Sequence, residues 1–138
     1  MAGQDDVAGR RREAVATDYR VARLDHVQVA MPVGLEREAE AFYAGILRLP
    51  VLEKPPVLAA RGGRWFGNAS GVQVHLGAEE GFRPAEKAHP ALAVEGLDAL
   101  VGALTAAGYP VRWDSELEGV RRCYVSDPFG NRIELIDL

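Results

Sequence analysis

Four side chains in this sequence could do metal chemistry, and they sit at repeating positions. The segment Gly71-Val-Gln-Val-His75-Leu matches Gly130-Asn-Arg-Ile-Glu134-Leu, which pairs Gly71 with Gly130 and His75 with Glu134, each 59 residues apart. Just upstream, Trp65-Phe66 is set against Cys123-Tyr124. Further upstream, His26-Val-Gln-Val-Ala matches His89-Pro-Ala-Leu-Ala, now 63 residues apart. All 3 histidines of the chain, with Glu134, therefore fall at two equivalent positions of two modules. If two such modules pack symmetrically, three imidazoles and a carboxylate can converge on one point. Nitrogen and oxygen donors of that kind hold a divalent metal.

The elements that must position these groups follow from the apolar pattern. Leu24 to Ala30 alternates as a strand does, with His26, Gln28 and Ala30 on one side and Val27 and Val29 on the other. Met31-Pro-Val-Gly34 is a break. Glu36 to Leu47 follows as a helix, with Ala39, Phe42, Tyr43, Ile46 and Leu47 at helical spacing and acidic residues at its start. Val51 to Ala60 reads as a strand region broken by Pro55-Pro56. Arg61-Gly-Gly63 is a turn, and Arg64 to Asn68 and Val72 to Gly77 are two further strands. The polar stretch 79–88 reads as a linker.

The same order then returns. His89 to Val94 is a strand, Leu97 to Ala107 a helix closed by Gly108, and Pro110 to Trp113 and Val120 to Val125 are strands. Asp127-Pro-Phe-Gly-Asn131 is a turn signal, and Arg132 to Asp137 is the last strand. The expected fold class is α+β: two tandem βαβββ modules, over 22–78 and 89–138, forming a cup-like or incomplete-barrel sheet around a shared cleft.

Size and composition agree with one domain over 22–138. The chain has 138 residues, 48% of them hydrophobic and 26% charged. A net charge of −4 argues against a nucleic-acid partner. No apolar run approaches the ~20 residues of a membrane helix. The single cysteine, Cys123, excludes an internal disulfide and a Cys-rich zinc site, and fits a cytoplasmic protein. It sits in a β-favouring run and reads as a half-buried strand residue. Residues 1–21 are charged and poor in large apolar side chains, without the apolar stretch of a secretory signal, and read as a flexible arm.

Leu24-Asp-His26, Phe42-Tyr-Ala-Gly-Ile-Leu47, His89-Pro-Ala, Leu97-Asp-Ala-Leu100 and Asp127-Pro-Phe-Gly-Asn-Arg-Ile-Glu134 carry a family resemblance. Over about residues 22 to 138 the chain resembles the vicinal oxygen chelate superfamily, the group of glyoxalase I, metal-dependent fosfomycin-resistance proteins, extradiol dioxygenases and bleomycin-resistance proteins. The resemblance implies metal ligands from the first and fourth strands of each module, here His26, His75, His89 and Glu134. Members with three ligands would use His26, His89 and Glu134, a face that leaves positions open for substrate or water. His75 stands where glyoxalase I enzymes usually carry glutamate or glutamine.

Two functions follow as expectations. The first is a glyoxalase-like, metal-dependent enzyme of lyase, isomerase or dioxygenase type. It would chelate a small oxygenated substrate on Zn, Ni, Mn or Fe, with Glu134 as the catalytic proton carrier. The alternative is a metal-free, bleomycin-resistance-type binding protein. In either case Gln28 and Gln73 would share the faces of His26 and His75, Arg132 that of Glu134, and Trp65 and Tyr124 would form aromatic walls. A homodimer is expected, with the site within one chain or shared between two. No basic cluster is evident for the carboxylates of a glutathione adduct. Arg132 alone is expected to accept one anionic group.

Overall fold

The computed structural model describes residues 18–138. The arm expected over 1–21 lies outside the described residues up to residue 17. Two four-stranded sheets carry the fold. In the first module, β1 (Val27–Pro32) is followed by α1 (Glu36–Glu40), which continues as a π-helical stretch (Ala41–Ile46). β2 (Val51–Leu52), α2 (Pro56–Ala59), β3 (Arg64–Gly67) and β4 (Gln73–Glu79) complete it. The second module runs β5 (Ala91–Val94), α3 (Leu97–Ala106), β6 (Arg112–Asp114), β7 (Arg122–Ser126) and β8 (Arg132–Asp137). The strand orders are β1-β4-β3-β2 and β5-β8-β7-β6. In each sheet the first strand lies at an edge, parallel to the last strand of its module.

The repeat read from the sequence is a repeat of register. Gln28 lies opposite His75, and Ala91 opposite Glu134. Trp65 lies opposite His75, and Tyr124 opposite Glu134. Trp65 is therefore the counterpart of Tyr124, and Phe66 of Val125. The match of Trp65-Phe66 to Cys123-Tyr124 is shifted by one residue. In a strand such a slip exchanges the two faces.

Several boundaries differ from expectation. Only Val51–Leu52 of the expected strand region pairs with β3, because Pro55-Pro56 starts a helical turn with Pro56 at its first position. There the fixed ring suits a helix and the missing N–H costs nothing. β1 begins at Val27 and β5 at Ala91, so His26 and His89 both stand just ahead of their strands. The first helix widens after Glu40. The Leu47 N–H reaches the Phe42 carbonyl at 3.0 Å, five residues back, where an α-helix would reach four. Helix α3 matches its signals: Gly108 adopts a left-handed φ of 89° behind it, and the Tyr109 N–H caps the Leu104 carbonyl at 2.8 Å.

The core joins the helix-side faces of the two modules. Phe42, Tyr43, Phe66, Leu76, Leu97, Leu104, Ile133 and Leu135 are all buried, with Cys123 among them. Phe42 meets the edge of Tyr109 at 4.9 Å, and Tyr43 stacks on Phe66 at 5.3 Å. A buried polar latch completes the joint. The Tyr43 hydroxyl donates to Asp127 at 2.7 Å, and the Asn131 amide donates to the Ala30 carbonyl of the first module at 2.8 Å. Asp127 also accepts the backbone N–H groups of Phe129 and Asn131 at 2.9 and 2.8 Å, so its buried carboxylate is fully partnered. The opposite faces of the sheets stay open: Gln28, Ala91, Ala93 and Arg112 are exposed. Among the described residues no helix is long and apolar enough to cross a membrane.

Candidate functional site

The open face of each sheet carries one pair of the donors. On the first sheet, His75 is buried in the middle strand and sandwiched. The His26 ring stacks on the His75 ring at 4.0 Å and 13°, and Trp65 stacks on the same ring at 4.3 Å and 11°. His26 is held by the carboxylate of its neighbour Asp25, 2.9 Å from Nδ1. His75 Nε2 lies 3.0 Å from the Gln73 amide oxygen. Burial first, and then the neighbouring His26 ring, holds His75 below the ordinary imidazole value of 6.5, which favours its neutral form. Gln28 lies over Gly77, where a methyl group would come within 2.7 Å of its amide nitrogen.

On the second sheet, His89 Nε2 lies 2.8 Å from a Glu134 oxygen. The other ring nitrogen, Nδ1, lies 2.9 Å from the Lys87 carbonyl. The carbonyl only accepts, so Nδ1 donates to it, and Nε2 is the ring nitrogen that faces Glu134. Burial alone would raise the Glu134 carboxyl. Hydrogen bonds from His89 and Arg122 outweigh it and hold the group below the ordinary 4.5. Arg122 spans Glu134 and Asp114, each at 3.2 Å. Its Nε is buried without a partner among the described residues.

These donors suit a divalent metal in kind: three imidazoles and a carboxylate, each oriented by a second group. Their placement divides them. Among the described residues no three of His, Cys, Asp or Glu gather in a group able to hold a metal ion. His26 and His75 form one half-set and His89 and Glu134 the other, on the open faces of different sheets.

Around Tyr124 the structure corrects the reading of Arg132 as a lone cation. The guanidinium groups of Arg112, Arg122 and Arg132 lie 4.9, 5.8 and 5.7 Å from the Tyr124 ring centre, and His89 meets the ring edge at 5.4 Å. Strand alternation could have found Arg122, which shares a face with Tyr124 two residues on. Arg112 could not be placed without the β6–β7 register, which sets it opposite Tyr124. Lys54 was also missed. It lies beside Gln28 and Trp65 on the first sheet, and burial followed by the nearby Arg64 charge lowers its pKa.

Comparison with known proteins gives the class. A glyoxalase family protein from Bacillus anthracis superposes with a TM-score of 0.82 at 43% identity, over 88% of this chain and 98% of that one. The chain belongs to the glyoxalase family, within the vicinal oxygen chelate superfamily. Two more distant structures share the fold. The fosfomycin resistance protein FosX from Listeria monocytogenes has a TM-score of 0.68 at 15% identity, over 86% of this chain and 95% of its own. The antibiotic-binding protein TnmS3 from Streptomyces sp. CB03234 has a TM-score of 0.65 at 22% identity, over 87% and 98%. No family model and no curated protein sequence matches the chain.

Proposed function

We propose that this protein is a metal-dependent enzyme acting on a small oxygenated molecule, with a site that two chains complete. His26 of one chain would join His89 and Glu134 of a second, and His75 would stand as a fourth donor. The observation that carries this is the identical register of the two modules, which puts donor pairs at corresponding points of two open faces. Within one chain no three of these donors gather among the described residues, although Gln28 and His89 border one cavity of about 500 Å³, and a second copy opposing module one to module two would bring four donors together. A bound divalent ion of the Zn, Ni, Mn or Fe type would supply a Lewis acid for adjacent substrate oxygens. Glu134 would carry the proton, because its carboxyl is held below the ordinary range and lies against His89 and the Arg122 guanidinium. Trp65 and Tyr124 would wall the cleft, and Gln28, Gln73 and Arg132 would orient polar groups of the substrate.

Elemental analysis of untagged protein purified without chelators tests this reading. About one metal ion per site is expected. Apo-protein that takes up none of these four metals at micromolar concentration removes the basis of the proposal. A second reading rests on the Trp65–His75–His26 stack, whose end rings suit an aromatic ligand without metal. Tight drug binding by chelator-treated protein, with no turnover, would favour it.

A further inference from the structure

The cations around Tyr124 are not equivalent. Arg122 is spoken for, bridging Asp114 and Glu134. Arg112 and Arg132 have no carboxylate partner among the described residues. Both border a pocket of about 280 Å³ that Tyr124, the exposed Ser126, Pro110 and Val111 also line. The strand registers explain the convergence. Arg112 lies across from Tyr124 on one side, while Arg132 lies across from Ser126 on the other. Alternation puts all four on the open face, and Arg132 stands two residues before Glu134 on that face. Two guanidinium groups without a carboxylate partner among the described residues create a local positive field in an otherwise acidic protein, one that an anionic substrate would meet on approach.

We propose that this pocket seats a single oxyanion group of the substrate, a carboxylate, phosphonate or sulfonate. Arg112 and Arg132 grip it from two sides, and the Ser126 hydroxyl and Tyr124 ring complete the seat. This deepens the functional reading above by naming the substrate class: small anionic molecules whose reactive oxygens extend from the seat toward His89 and Glu134. The planar fork of arginine suits such oxyanions, since it offers two parallel donors to two oxygens.

The test is direct binding to the chelator-treated full-length protein, which keeps it independent of any metal. Benzoate and phenylphosphonate serve as probes, with benzamide as the neutral counterpart of benzoate, measured by calorimetry and by NMR shifts. Both anions are expected to bind and to weaken as salt is raised, with benzamide at least about tenfold weaker. Arg112→Gln and Arg132→Gln should each cost about tenfold or more in anion affinity and leave metal uptake unchanged. Arg132→Lys should recover part of the loss, and Arg37→Gln, on the exposed side of α1, should bind as the parent does. Equal binding of benzoate and benzamide, no binding of either anion, or full anion affinity in both glutamine variants would overturn the proposal. Loss of metal uptake in the parent protein would sink the enzyme reading and leave the oxyanion seat standing.

Discussion

Glu134 lies between His89 and the Arg122 guanidinium, and its replacement should therefore be felt in two ways. Removing it deprives His89 of its partner and leaves Arg122 with only Asp114. Glu134→Ala, His26→Ala and His89→Ala are each expected to weaken metal uptake by at least about 10–100-fold, with the fold retained, because none of the three builds the apolar core. His75→Gln should be milder, since the amide keeps an oxygen donor. A His75→Gln defect larger than that of Glu134→Ala would show that the essential ligands are misassigned. His75 also predicts a pH dependence. Its folded pKa lies below 6.5, so the unfolded chain binds that proton more readily. The stability it contributes is complete above pH 6.5 and is lost as the pH falls. Melting curves of metal-free protein should show Tm declining below that point, and the decline should be smaller in His75→Gln.

At the scale of elements, the contacts that matter hold one module to the other. Tyr43, from the π-helical stretch, donates to Asp127 in the turn before β8, and Asn131 returns to the Ala30 carbonyl of β1. Tyr43→Phe should cost about 1 kcal/mol and a few degrees of Tm, because Asp127 keeps its two backbone donors. Asn131→Ala should cost more, about 2 kcal/mol, since it strips a donor from Ala30 and another from Asp127. Equal melting of both variants and parent would remove the latch from the account of stability. A second element-scale test is Gly63. Its φ of 81° and the overlap of any added methyl with the Leu76 carbonyl oxygen leave no room for a side chain. Gly63→Ala should destabilise more than Gly77→Ala, where the obstacle is only the movable end of Gln28.

For the whole molecule, the decisive question is which faces meet. Both donor pairs lie on open faces, and β1 and β5 are both sheet edges, so a second copy has a face and an edge to use. Mixing His26→Ala chains with Glu134→Ala chains distinguishes the arrangements. A site made by two chains should regain metal binding in part of the mixed dimers, because one of their two sites then contains neither substitution. A site within each chain should regain none, since every chain carries a defect. Sedimentation or scattering should show a dimer at micromolar concentration, and a strict monomer that still binds metal would refute the shared site.

Local pattern was enough to reveal the two modules, their two longer helices and the equivalence of the His75 and Glu134 positions. Strand alternation and turn residues act within a few neighbours, so Gly108, Asp127-Pro-Phe-Gly-Asn131 and the His75/Glu134 match were all legible in one dimension. The collapse of Val51–Ala60 into two paired residues and a helical turn was not, because a strand exists only where a partner's register accepts it. The same reason hid Arg112, placed beside Tyr124 by pairing across strands, and the latch from Asn131 to Ala30, which joins residues 101 apart. Above all, sequence could propose that four donors converge but not which copies of the modules bring them together. Packing of the helix-side faces within a chain buries Phe42, Leu104 and Leu135 together and carries His26 and Glu134 on different modules.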